Sequence, residues 1–172
     1  NPGLFDQRTP NASTEYLRST LYTEDVYAED LLAAFAAQLF SHNSWIAIFA
    51  FALGFAFGAP TALLLIYNGV TIGAFYALFW ERGLGFEVTG WLMIHGVTEL
   101  FAIVLAGAAG FMIGGAIAFP GRKTRLNSAR DTGERAASVA GGCIVMLFLA
   151  ALLEGFGRQL INEDWVRYTI AG

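Results

Sequence analysis

Between Trp45 and Tyr67 the chain runs for 23 residues without a charged side chain. As a helix rising 1.5 Å per residue, that run is long enough to cross a hydrocarbon core about 30 Å thick. Few other surroundings suit it. Composition points the same way: 56% of residues are hydrophobic and 14% are charged, where a soluble domain carries roughly a quarter charged. Mean hydropathy is +0.54. The fold expected is all-α, a polytopic transmembrane helical bundle with an amphipathic interfacial helix at its N-terminus.

The apolar runs set the expected boundaries. Residues 1–43 form a polar segment with turn and cap signals at Asn1-Pro2-Gly3, Thr9-Pro10 and Asn11-Ala12-Ser13-Thr14. From Thr23 or Glu24, the residues Val26, Tyr27, Leu31, Leu32, Phe35, Leu39 and Phe40 recur at helical spacing. This helix is too polar at its start to span and is expected to lie at the interface. The bundle is expected over 44–160, with spans at 45–67, 70–86, 88–119 and 136–160, a basic loop at 120–135 and a tail at 161–172. Pro60 is expected to kink the first span, and Asn68-Gly69 to turn the chain. The second stretch is short, so it either borrows residues up to Phe86 or enters and returns as a broken helix. The third is long enough to need tilt, protrusion or a break near Gly96. Asn1 is not methionine and no cleavable leader is visible, which reads as a processed or truncated portion of a longer protein.

Orientation follows from the basic residues. Arg122, Lys123, Arg125, Arg130 and Arg135 face only Asp131 and Glu134. Such excess marks a cytoplasmic side, with anionic-lipid binding as a secondary role. The N-terminal segment holds Arg8 and Arg18 against Asp6, Glu15, Glu24, Asp25, Glu29 and Asp30, which suits the opposite side, and three crossings between the two agree with that. Trp45, Trp80, Trp91 and Trp165 fall near the expected interfaces, as an aromatic belt requires.

Inside this apolar background His95 and Glu99 stand four residues apart, on one face of a helix. A charged group at the bilayer centre costs roughly 2.5–3.5 kcal/mol or more, so such residues normally face protein or a polar cavity. Counting along the helices places Glu154 in the same layer, with Arg158 one turn on to neutralise it. A buried polar site is therefore expected from His95, Glu99, Glu154, Arg158, Asn43 and Asn68. It reads either as a path or site for protons, cations or a small polar solute, or as an interhelical clamp that fixes packing. Asn43 and Asn68 also read as capping and turning residues at the ends of the first span. A metal held by His95, Glu99 and Glu154 is a further alternative with less to carry it, because His42 lies at the interface and no H-E-x-x-H pattern is present. No catalytic set, cofactor site or disulfide is expected: Cys143 is the single cysteine and lies in an apolar run, where a thiol acts as a small hydrophobe. Nucleic-acid binding does not suit a net charge of −4.

Gly54 with Gly58, Gly69 with Gly73, and Gly110 with Gly114 are each four apart, and Ala102, Ala106, Gly110 and Gly114 line one helix face. Small residues let backbones approach where lipid offers helices no hydrophobic reason to associate. They serve packing within the chain, or an interface with a second copy or a partner protein.

The ordered pattern resembles the stage II sporulation protein M family of integral membrane proteins. It is carried by Asn43 before Phe51-Ala52-Leu53-Gly54 and Gly58, then Tyr67-Asn68-Gly69 with Gly73, His95-Gly96-Val97-Thr98-Glu99-Leu100, Ala106-Gly107-Ala108-Ala109-Gly110, and Leu153-Glu154-Gly155-Phe156. Phe101 stands where the family usually has proline, and His42 where a second asparagine is common. The resemblance implies a multi-spanning protein of the cytoplasmic membrane. Its namesake acts with partner proteins in septal peptidoglycan remodelling, as a membrane scaffold. The leading expectation is a non-enzymatic scaffold or complex-organising subunit in the lipid bilayer, as a homo-oligomer or with membrane or extracytoplasmic partners. The alternative is a channel or transporter component using the same polar residues.

Overall fold

The structure, a computed structural model, describes residues 8–22, 29–160, 165 and 168–169; within its helices, the side chains of 29–36, 38–39, 94–95 and 153–160 lie outside the described set. Among the described residues five α-helices follow in order: α1 (Thr14–Ser19), α2 (Glu29–Ala52), α3 (Ala59–Glu81), α4 (Gly85–Ala118) and α5 (Arg125–Leu160), with a 3-10 turn at Leu53–Phe55 after α2. No strand occurs among the described residues. Among the described residues three helical segments, Ala59–Glu81, Gly96–Ala118 and Arg125–Leu152, are long and apolar enough to cross a membrane, and Phe40–Phe55 is a shorter apolar one.

The apolar run from Trp45 to Tyr67 is not one helix. It breaks at residues 53–58, where Phe57 and Gly58 both adopt left-handed backbone (φ 63° and 78°). Gly58 takes this geometry freely, and Phe57 does so at a cost of about 1–2 kcal/mol. Pro60 then falls in the first turn of α3, where its missing N–H is not needed, so it starts a helix instead of kinking one. The turn closes on itself through Ala56 N–H to the Leu53 carbonyl (3.0 Å) and Gly58 N–H to Gly54 (3.1 Å). Thr61 Oγ1 donates to the Ala50 carbonyl at 2.9 Å, bonding an acceptor that the end of α2 leaves free.

This break moves the next boundary as well. Asn68-Gly69 lies inside α3, not at a turn, and the Asn68 amide donates to the Leu64 carbonyl one helical turn back (2.8 Å). The short stretch expected at 70–86 is thus the second half of a 23-residue helix. Helix α4 runs unbroken through Gly96 and Phe101. The basic stretch is a loop only as far as Thr124, whose Oγ1 accepts from Asn127 N–H (3.3 Å), and Arg125, Arg130 and Arg135 lie on α5. The interfacial helix is likewise no separate element from Glu29 onward, because α2 continues without interruption to Ala52; its expected start at Thr23 or Glu24 lies outside the described residues.

Helix α4 is the centre of the bundle, packed by α2, α3 and α5. Glycines set the closest approach. A Cβ on Gly54 would run into the backbone of Gly110, one on Gly110 into the Ala50 carbonyl, and one on Gly114 would come within 2.7 Å of Gly58 N and 2.8 Å of Gly54 O. Because both numberings rise together, α2 runs parallel to α4, and α5 returns antiparallel. Ile46, Ala47, Ala102, Ile103, Ala106, Cys143 and Leu147 fill the space between these three helices. By contrast, nothing among the described residues lies within 4 Å of a Cβ built on Gly69 or Gly73, so that glycine pair makes no close contact with them. Leu63, Ile66, Tyr67 and Val70 on α3 are all more than 60% exposed, an arrangement suited to lipid and not to water.

Replacing Gly110 by leucine is expected to destabilise the detergent-solubilised protein by about 1–3 kcal/mol or more, as overpacking does. Gly69→Leu is expected to stay within about 0.5 kcal/mol of the parent. Thermal unfolding of the two variants side by side checks the contrast.

Candidate polar site between two parallel helices

Eleven residues separate Asn43 from Gly54 and eleven separate Glu99 from Gly110. At 3.6 residues per turn this is three turns, so each helix presents the same face at both levels. The Gly54–Gly110 contact therefore sets the register that brings Asn43 to Glu99. Asn43 Nδ2 donates to Glu99 Oε2 at 2.5 Å. Glu99 is only 4% exposed. Its second oxygen, Oε1, is buried and has no hydrogen-bond partner among the described residues.

A carboxyl group so placed has one face satisfied and, among the described residues, one open. The satisfied face ties α2 to α4 by a polar bond in an apolar setting, where interhelical bonds contribute roughly 0.6–2 kcal/mol. The open oxygen can accept a bond from, or when protonated donate one to, whatever polar group or ion reaches it.

Of the other residues expected here, Asn68 is spent on its own helix and does not join the pair. His95 lies one turn before Glu99 on α4, and Glu154 and Arg158 lie on α5; the side chains of all three are outside the described residues. Among the described residues no group of three His, Cys, Asp or Glu side chains is placed to hold a metal ion.

At the end of the bundle nearer Asn43, residues 8–22 cover the α3–α4 connection. Ser13 caps α1, its side chain accepting from Tyr16 N–H (3.1 Å). Leu17 and Leu21 are buried against Phe79, Leu84, Val88 and Trp91. The Arg8 guanidinium lies 5.6 Å from the ring centres of both Phe75 and Trp91 and donates to the Thr20 carbonyl (3.1 Å). Burial pulls its pKa below the usual guanidinium value, with Tyr16 opposing; an arginine stays charged through such a change. Arg82 reaches the Pro10 carbonyl, and Arg18 lies 3.4 Å from Glu87. Trp91, expected in an interfacial belt, is therefore buried beneath this cap, whereas Trp45, Trp80 and Trp165 are exposed. Sequence alone missed the role of Arg8, since a lone arginine in a polar segment carries no periodic signal. The matched eleven-residue spacing was the signal that could have paired Asn43 with Glu99.

Compared with known proteins, residues 6–157 match the family model described as Stage II sporulation protein M. The match covers most of the chain, and the chain belongs to that family. No curated protein and no solved structure matches it. Family and apolar helices together make it a membrane protein.

A double-mutant cycle on Asn43→Ala and Glu99→Ala is expected to give a coupling energy of about 0.5–2 kcal/mol. Additive effects in thermal or denaturant unfolding would mean that the two side chains do not bond.

Proposed function

As a member of the stage II sporulation protein M family the chain is, we propose, a non-enzymatic scaffold of the cytoplasmic membrane that organises a partner complex. The observation that carries this reading is the division of labour among its glycines. Gly54, Gly58, Gly110 and Gly114 are consumed in locking α2 to α4, while Gly69 and Gly73 face outward from α3 with open space above them. A rigid core with an unused small-residue face suits a protein whose task is to hold others, a second copy of itself included.

In this reading α2, α3, α4 and α5 all cross. Residues 8–22 and the α3–α4 connection then lie outside the cytoplasm, and the basic α4–α5 connection lies inside. The charge bias supports that orientation, as does the position of the two regions at opposite ends of α4. Arg125 lies 6.0 Å from the Phe57 ring, so the 53–58 turn shares the basic end. Single-cysteine labelling tests the placement in a Cys143→Ala background: Ser13→Cys and Arg122→Cys are expected to react with an impermeant maleimide from opposite sides.

A second reading is favoured by the open Oε1 of Glu99: a proton or cation binds there and moves through the bundle. Reconstituted vesicles separate the two. The scaffold reading expects proton and alkali-cation flux no greater than in protein-free vesicles, and Gly69→Leu with Gly73→Leu to change the assembled mass without changing the fold. Flux that Glu99→Gln abolishes, with assembly intact, would establish the transport reading instead.

A further inference from the structure

Helices α2 and α5 leave between them a half-open groove of about 300 Å³, lined by apolar residues that include Ala47, Phe51, Ala106, Ala137, Ala140 and Gly141. No described residue fills it. A Cβ on Gly133 or Gly141 would meet nothing within 4 Å among the described residues, although glycine is a poorer helix former than alanine. These α5 glycines therefore serve no close contact with the described residues.

At the basic end of the same α5 face stand Leu126 and Arg130. Arg130 precedes Ala137 by seven residues, two turns, so the two share a face about 10.5 Å apart along the helix. Leu126 is 79% exposed. Arg130 is exposed and has no salt bridge among the described residues, its neighbour Asp131 being held by Lys123 at 2.7 Å. Glu134, one turn on, is also exposed and makes no described salt bridge. The end as a whole carries five cations against two anions.

We propose that this groove and Arg130 form one site for an anionic phospholipid, with an acyl chain lying along Ala137 to Ile144 and the headgroup phosphate on Arg130. The charge pattern selects this occupant over a second copy. A two-fold pair about the membrane normal would set the same surfaces together, and each basic end would meet another. An anionic headgroup meets the cations with opposite charge, and basic residues at the membrane surface favour such lipids by about 1 kcal/mol each. The site rests on the reading that this end of the bundle lies at a bilayer surface, which the maleimide labelling of Arg122→Cys decides separately.

Native mass spectrometry of the purified protein, incubated with phosphatidylglycerol or phosphatidylcholine, tests it. The parent protein is expected to retain phosphatidylglycerol in preference. Arg130→Gln should reduce that preference about fivefold, the equivalent of one lost cation. Gly141→Leu, whose side chain enters open space and fills the groove, should lose both lipids while the helix content and melting temperature hold. Retention of neither lipid by the parent, an unchanged preference in Arg130→Gln, or undiminished lipid in Gly141→Leu would each overturn the proposal. A changed oligomer mass in Gly141→Leu with lipid retained would assign the groove to a second copy instead.

Discussion

Everything in this bundle depends on a backbone-to-backbone contact in which the turn at residues 53–58 presses against Gly110 and Gly114 of α4. Lipid gives helices no hydrophobic incentive to associate, so what holds them is the density of van der Waals contact and the few polar bonds they can share. Glycines on both sides bring the two main chains closer than any side chain would permit. That closeness fixes how far α2 lies from α4 and which residues face one another along the rest of their length.

The polar pair is a consequence of that register. Three turns from the glycine contact, the same faces bring Asn43 onto Glu99. A glutamate in an apolar helix needs a partner, and the geometry supplies one for half of its carboxyl group. The other half meets no hydrogen-bond partner among the described residues. Glu99 is the residue on which a scaffold and a transport function would differ, because a clamp needs only its bond to Asn43 whereas a transport path would use its second oxygen.

Much of this was legible in the sequence, and what was not has physical causes. The membrane setting, the helical class, the long α4 and the apolar body of α5 follow from runs of uncharged residues, because lipid leaves a backbone few alternatives. Glu99 was identifiable as a buried polar residue for the same reason. Hydropathy, however, cannot locate a turn buried among apolar residues. Phe55, Ala56 and Phe57 read as span interior, which makes Pro60 look like a kink and Asn68-Gly69 like the turn. Gly58 two residues before Pro60 is the helix-stop and helix-start pair that marks the true boundary. The basic residues after Pro120 were visible as a charge cluster, but their placement along α5 was not, since Arg125, Arg130 and Arg135 are good helix formers wherever they lie. The N-terminal cap was hidden because Leu17 and Leu21 are too few to declare a buried face.

The chain reversal at 53–58 is the claim on which register, polar pair and groove all stand. Pulsed electron paramagnetic resonance between spin labels at Phe49→Cys and Leu63→Cys, in a Cys143→Ala background and in lipid, tests it directly. Packed neighbouring helices place their axes about 8–10 Å apart, and the account predicts a separation of that order between the labelled backbones. A continuous helix from Trp45 to Tyr67 would hold the same residues about 21 Å apart along its axis, and a distance near that value would contradict the fold and the site built on it.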